Sequence, residues 1–238
     1  MQSVNDVPDF ADFDRRHYRV VSVQDGYREW LPSYEASVDD AMDLALLERI
    51  ETIQWSRARR AVDLGCGTGR TAAWLRTKGV DHIDGVDVTP EMLDAAPVRG
   101  ARERLVEADV RATGLDAATY ELAVCCLVDE HLDELSGLYR EARRLLRDDG
   151  MFTLVGYHPA FIMRTGMPTH YDTPGGEHVA IETHVHLLSE HFAAAGDVGF
   201  TALELHEGVI DDEWVRHKPR WAEHRGWPIS FAWVWVAA

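Results

Sequence analysis

Short, almost unbroken apolar runs alternate along the middle of this chain with segments of helical period. Arg60–Leu64, His82–Val88, Leu105–Val110, Glu121–Val128 and Met151–Tyr157 predict strands. Gly69–Lys78 predicts the first intervening helix. Thr89-Pro90-Glu91-Met92 marks the start of a second, with Thr as N-cap and Pro at the first helical position. Leu132–Leu146 carries Leu135, Leu138, Tyr139, Ala142 and Leu145 at helical spacing, and Asp148-Asp149-Gly150 ends it. Strands alternating with helices imply an α/β architecture: a doubly wound, mostly parallel sheet covered on both faces.

The flanks are less regular. Residues 1 to about 25 are polar and charged and predict an arm. Gly26–Trp55 looks helical, with Trp30, Leu31 and Tyr34 on one side. Pro32 interrupts it, so two shorter helices are expected, the second from Asp39 to Trp55 with an apolar stripe of Met42, Leu44, Leu46, Leu47 and Ile50. Residues 158 to about 186 show no clear period. Leu187–Ala195 reads as a helix, Thr201–Val209 as a sixth strand and Ile229–Val236 as a seventh. The charged, Trp-rich stretch Asp211–Trp227 lies between those two strands.

Ala61-Val62-Asp63-Leu64-Gly65-Cys66-Gly67-Thr68-Gly69-Arg70 is the most informative stretch. A strand enters a loop with Gly at alternate positions, and a helix comes at once after it. Glycine there lets a ligand lie almost against the backbone, and the helix start presents unpaired N–H groups. The second strand ends on an acid, Asp87, the position from which ribose hydroxyls are bound in nucleotide-binding α/β folds. The spacing is G-x-G-x-G, and Arg70 stands where a dinucleotide fingerprint needs its third Gly. Asp63, two residues before the first Gly, would repel a pyrophosphate and favour an ammonium group. An NAD-dependent oxidoreductase is therefore disfavoured.

Composition narrows the partners. The formal net charge is -17, which argues against a nucleic-acid substrate, since phosphate contacts need clustered Lys and Arg. Met1–Asp6 has neither a basic nor an apolar signal region, and Ile229–Ala238 is too short to span a bilayer. Cys66, Cys125 and Cys126 fall in strands or the glycine loop, adjacent cysteines pointing to opposite faces of a strand, so neither a disulfide scaffold nor a thiolate metal site is expected. A cytoplasmic protein without membrane or nucleic-acid partners is expected, as a monomer or homodimer.

Asp63-Leu64-Gly65-Cys66-Gly67-Thr68-Gly69 resembles the first motif, D/E-x-G-x-G-x-G, of the class I S-adenosylmethionine (SAM) dependent methyltransferases. Val106–Val110 resembles the family's third-strand motif, Leu122–Leu132 its fourth-strand motif, and Leu145–Gly150 its L-L-x-P-G-G turn, with Asp148 and Asp149 in place of Pro and Gly. The resemblance covers roughly residues 60 to 157. It implies a Rossmann-like seven-stranded sheet with strands six and seven as an antiparallel edge hairpin, and a substrate lid inserted after strand five. It also implies one domain over 1–238: N-terminal cap helices in 1–55, a SAM-binding core in 60–157, and lid and edge strand in 158–228. The cofactor contacts it implies are Asp63, Gly65, Cys66, Gly67, Gly69, Asp87, Val88 and Leu127. Asp109 would accept the adenine amino group and the Val110 N–H would reach a ring nitrogen. Tyr27, with Trp30 and Tyr34, resembles the family's cap over SAM.

Methyl transfer from a sulfonium needs no protein nucleophile and no metal; orientation and exclusion of water suffice. The acceptor belongs at the carboxyl ends of the strands, which nominates Leu127–His131 and Tyr157-His158-Pro159. His131 and His158 are the candidates for catalytic contact, because histidine titrates near neutral pH. Equally, His131 could pack the following helix and His158 could shape its turn. Asp129 and Glu130 could act instead, or serve only the helix start. Tyr157, Phe161, His170 and Tyr171 are candidate acceptor contacts; Trp214 and Trp221 could line a site for a planar acceptor or simply pack. Glu182, His184 and His186 would share a face if residues 179–186 are extended, a metal spacing that no second ligand pair supports, and no metal is expected. The expected activity is methylation of an O or N atom of a small molecule. The alternatives are a protein or tRNA acceptor, and SAM binding without turnover.

Overall fold

In the computed structural model, residues 8–38, 40–97 and 103–237 are described. Residues 1–7 of the expected arm, and Asp39, the expected start of the second helix, lie outside them. In chain order the elements are β1 (Arg19–Val21), α1 (Val23–Ser37), α2 (Leu44–Leu47), β2 (Arg60–Leu64), α3 (Arg70–Thr77), β3 (His82–Asp87), α4 (Pro90–Ala95), β4 (Leu105–Glu107), β5 (Tyr120–Cys126) and α5 (Ser136–Leu145). Then come β6 (Leu146–Tyr157), α6 (Pro159–Thr165), β7 (His170–Asp172), β8 (His178–Ile181), α7 (Leu188–Asp197), β9 (Phe200–Val209), α8 (Asp212–His217) and β10 (Pro228–Ala237).

Seven strands form the main sheet in the order β4-β3-β2-β5-β6-β10-β9. The first five are parallel, and β10 runs antiparallel to both β6 and β9. The antiparallel edge hairpin is therefore present. The order reverses between β2 and β5, which opens a crevice at their carboxyl ends. The central strands are buried on both faces, which is why they read as continuous apolar runs. One face packs Leu138, Tyr139 and Leu145 of α5 onto Phe152, Phe231 and Trp235. The other packs Leu47, Trp74 and Leu75 onto Val124, Val155 and Val234. Each such side chain contributes about 1.5–3 kcal/mol by leaving water.

Three expectations are corrected. α1 runs through Pro32 as one helix instead of breaking there. Pro32 and Arg28 are both exposed, so the break in the helix ladder at the Arg28 carbonyl falls on the solvent side, where water can replace the lost donor. The helix expected over Leu132–Leu146 starts only at Ser136, because Asp129–His131 first makes a 3-10 turn. Strand five begins at Leu146, not Met151: the Asp148–Gly150 turn lies inside β6 as an irregularity, with Asp149 in the left-handed region at φ 63°.

The irregular segment after β6 is also more ordered than its sequence suggests. β7 and β8 form a hairpin, and β8 pairs in parallel with β1 from the N-terminal arm. This small sheet packs on α1 through Tyr171, Val179 and Ile181 against Val23, Tyr27 and Trp30. The close approach requires Gly26, where a Cβ would stand 2.6 Å from the Ile181 side chain. The arm, the first helix and the hairpin thus share one apolar cluster apart from the main core.

Candidate active site

A cavity of about 830 Å³ lies at the carboxyl ends of β2, β3, β5 and β6, between the glycine loop on one side and α1 with the small sheet on the other. The loop is held from β3: the Val86 carbonyl accepts from the N–H groups of Gly65 (2.8 Å) and Cys66 (2.9 Å). Asp87 holds both the loop and its own connection to α4, one carboxylate oxygen accepting from the Gly67 N–H (2.8 Å) and the other from the Thr89 N–H (2.8 Å). Gly65 and Gly67 have φ of 77° and 50°. A Cβ on Gly65 would lie 2.3 Å from Val128 Cγ2, whereas one on Gly67 would meet only the tip of Met92, at 3.3 Å, within 4 Å. The Gly67 backbone therefore borders open space, and a ligand can approach it as closely as its hydrogens allow.

Gly65, Cys66, Gly67, Asp87, Val88, Asp109, Val110, Leu127 and Tyr27 all line the cavity; Asp63 and Gly69 do not. Gly69 caps α3 with φ 86°. Asp63 is 1% exposed, and neither of its carboxylate oxygens has a hydrogen-bond partner among the described residues. Burial, and then the charge of Asp87, push its carboxyl up to about 7. Burial also raises Asp87 and the Cys66 thiol. Asp109 differs from its expected availability: Arg111 grips both of its oxygens, Nε to Oδ1 at 3.0 Å and Nη2 to Oδ2 at 2.8 Å, and holds the carboxyl below the usual range. Leu127 sits at φ 56°, with its N–H bonded to the Val155 carbonyl at 2.7 Å. A branched side chain in that region is strained by about 1–3 kcal/mol, a cost that clusters at ligand sites.

The N-terminal elements close the cavity by specific polar contacts. Gln24 Nε2 donates to the Val88 carbonyl (2.7 Å), Glu35 accepts from the Thr68 hydroxyl, and Arg70 is clamped by Asp40 and by the buried Asp43. The Tyr27 hydroxyl and His131 Nε2 are 2.9 Å apart, while His131 Nδ1 lies 2.7 Å from the Glu182 carbonyl. A carbonyl only accepts, so Nδ1 donates to Glu182, and Nε2 shares a hydrogen bond with the Tyr27 hydroxyl. Both ring nitrogens of His131 are therefore committed to the protein.

Position separates the two histidine candidates. His131 lines the cavity and His158 does not. His158 caps α6, its Nδ1 accepting from the Ala160 N–H at 3.2 Å, and its Nε2 pairs with Glu207 at 2.9 Å. The expectation of acceptor contact for His158 is thus corrected: it shapes the turn. Phe161 is corrected likewise, being fully buried in a parallel stack on Trp221 at 5.3 Å and 1°. Tyr157, His170 and Tyr171 do line the cavity. The Tyr171 hydroxyl donates to Glu29 (2.6 Å), and His170 Nδ1 to the Pro168 carbonyl (2.9 Å). The remaining histidines split: His178 and His184 reach the cavity, whereas His186 and His191 are in the core. β8 ends at Ile181, and beyond it Glu182, His184 and His186 stay next to one another: His184 Nε2 lies 3.8 Å from Glu182 Oε1, and the His184 and His186 rings are stacked 6.4 Å apart. Among the described residues no group of three His, Cys, Asp or Glu is placed to hold a metal.

Glu130, weighed in the sequence only beside Asp129, is a further buried polar residue on the cavity wall. It lines the cavity at 3% exposure, its Oε1 accepts weakly from Thr169 (3.3 Å), and its Oε2 has no partner among the described residues. Burial pushes its carboxyl up to about 7, with Asp129 adding to the effect and His131 opposing it. Trp214, Lys218, Arg220 and Trp221, from the connection between β9 and β10, also line the cavity. Only the Trp richness of the connection signalled this.

Comparison with known proteins agrees with the geometry. The family model for a methyltransferase domain matches residues 62–154. A ubiquinone biosynthesis O-methyltransferase of Neisseria meningitidis is 24% identical over 43% of this chain and 47% of its own length. A malonyl-[acyl-carrier protein] O-methyltransferase of Enterobacter lignolyticus is 30% identical over 40% and 38%. The chain thus spans about half or less of the curated relatives it matches. A SAM-dependent methyltransferase structure from Mesorhizobium loti superposes with a TM-score of 0.66 at 20% identity, covering 82% of this chain and 97% of that one. With the glycine loop and Asp87 walling the cavity at the switch point of a sheet of this order, residues 62–154 form a methyltransferase domain, and the chain has the fold of the class I S-adenosylmethionine-dependent methyltransferases.

Proposed function

We propose that this protein transfers a methyl group from SAM to an oxygen or nitrogen atom of a small molecule, in one domain whose α1 and small sheet act as the cover of the site. The observation that supports this best is one continuous cavity: its volume is enough for SAM and a second small molecule, with the glycine loop and Glu130 both on its wall. The residues suit SAM. Asp87 can bond the ribose hydroxyls. Asp63 is a buried carboxylate without a partner among the described residues behind the loop, suited to the field of an ammonium group. Gly67 leaves the room a Cβ would fill.

When bound, SAM supplies an electrophilic methyl group on a sulfonium. The chain's own residues do the rest. Glu130 takes the proton from the acceptor's hydroxyl or amine, since a carboxyl near 7 is an effective base at neutral pH. His131 fixes the Tyr27 hydroxyl and Tyr157 borders the acceptor. α1 and the small sheet exclude water. The two curated relatives are O-methyltransferases by description, which together with a base at Glu130 favours a hydroxyl acceptor. No helix among the described residues is long and apolar enough to cross a membrane, and a cytoplasmic setting remains part of this proposal.

The test is enzyme-dependent transfer of labelled methyl from SAM into a cell extract, split by ultrafiltration. Label in the filtrate is expected. Label confined to the retained fraction would point to a protein or RNA acceptor, and no transfer would point to a SAM-binding protein without turnover.

Asp63 offers a second check. Its carboxyl holds its proton more tightly in the folded chain than in the unfolded one. Its burial therefore costs nothing below about pH 4; the cost grows as pH rises and is complete above about 7, on the order of 4 kcal/mol. Asp63→Asn should therefore raise the melting temperature of the ligand-free protein more at pH 8 than at pH 4. The extra stability conferred by SAM should shrink. A stability change independent of pH would show that Asp63 is not a buried, uncompensated carboxylate.

A further inference from the structure

We infer that the acceptor carries a carboxylate, bound as a recognition handle by Arg220 and Trp214 in the connection between β9 and β10. The inference rests on the proposed methyltransferase activity and adds the substrate class. Four observations carry it. First, the chain carries -17 overall, yet in the connection Asp211–Trp227 the cations Arg216, Lys218, Arg220 and Arg225 balance the acids Asp211, Asp212, Glu213 and Glu223, and Arg225 pairs with Asp212. The acidic excess of the chain is absent from this connection, which borders the cavity. Second, two other cavity arginines are already saturated: Arg70 by Asp40 and Asp43, and Arg111 by Asp109 and Asp133. Arg220 lines the same cavity, is exposed, and has no carboxylate within ion-pair distance among the described residues. Third, Trp214 lines the cavity at 8% exposure, and its indole N–H has no acceptor among the described residues. A buried donor without a partner costs stability that a bound oxygen would restore. Fourth, Trp214, Trp221 and Met167 supply apolar walls, so the anion belongs to a molecule with an apolar body.

One guanidinium and one N–H donor suit a monoanionic carboxylate better than a phosphate dianion, which would also meet more of the repulsion from the acidic surface. The carboxylate is the handle, and the methylated atom is the one beside Glu130. A carboxylate accepting the methyl directly would bring no proton for Glu130 to remove.

The test is calorimetric titration of the full chain saturated with S-adenosylhomocysteine, using 3-phenylpropanoate, its neutral amide 3-phenylpropanamide, and phenyl phosphate. The carboxylate should bind about 10- to 100-fold more tightly than the amide, the range of a charge-assisted hydrogen bond. Arg220→Gln should erase that difference and leave the amide unchanged, and Arg220→Lys should restore most of it. Arg220 is on the surface, so neither change threatens folding. Equal binding of carboxylate and amide, no binding of either, a preference surviving in Arg220→Gln, or tighter binding of phenyl phosphate would each overturn the assignment. Failure of S-adenosylhomocysteine itself to bind would instead remove the methyltransferase reading, and this inference with it.

Discussion

Replacing Gly67 with valine is expected to abolish SAM binding and leave a folded protein. The two halves of that expectation come from different neighbours. The Gly67 N–H is tied to Asp87, and its φ of 50° is one a β-branched residue resists. That resistance costs about 1–2 kcal/mol, against a stability of about 5–15 kcal/mol for an ordinary domain. The new Cβ would touch only the flexible end of Met92. Its methyl groups would project into the cavity beside the loop, where the ligand must lie. A loss of more than about 100-fold in affinity is the consequence, since overlap of that kind exceeds roughly 3 kcal/mol. Gly65→Val is a poor substitute, because its Cβ would collide with Val128 and damage the packing as well. Calorimetry with SAM and a thermal melt separate the two effects. Near-normal affinity in a folded Gly67→Val protein would mean that the ligand does not lie on this loop.

The loop was legible because its glycines act locally: positive φ and close approach are written into the residue type itself. The same holds for the parallel strands, whose continuous burial leaves a continuous apolar run, as in β2 and β3. Elements held by distant partners were not legible. β7 and β8 are short, and their third strand, β1, comes from well over a hundred residues earlier, so no local pattern announces the small sheet. Pro32 misled because its penalty depends on whether the orphaned carbonyl reaches water, which is a property of the fold. His158 and Glu130 show the same limit inside the site. Both lie just beyond a strand at the correct edge of the sheet. Which one meets the cavity depends on where the chain turns next: the chain bends at Pro159 and carries His158 toward Glu207, while the 3-10 turn after β5 holds Glu130 at the wall. The functional residue in such a pair is chosen by tertiary context, and its buried, partner-poor carboxylate is the mark that context leaves.

Glu130→Gln should therefore lower the turnover rate by about 10²- to 10⁴-fold, the range for loss of a positioned general base, with little change in SAM affinity. The amide keeps the volume of the side chain and can still accept from Thr169, so the packing of the turn survives. It cannot take a proton. In the wild type, the base form of Glu130 is populated only as pH rises through about 7, so turnover should climb with pH and level off above that value. In the variant the residual rate should lose this rising limb. His131→Asn acts through Tyr27 and should shift SAM affinity as well as rate. His158→Gln should leave both intact, because that ring faces Glu207 and the start of α6. The decisive comparison is the pH profile of the turnover rate in wild type and Glu130→Gln. If both profiles rise with the same midpoint, the titrating group lies elsewhere, on the acceptor or another residue, and the carboxylate of Glu130 is a buried structural charge. If the limb disappears with the carboxylate, the proton leaves the acceptor through Glu130, and the cost of burying that side chain with one oxygen unpaired among the described residues finds its purpose in the reaction.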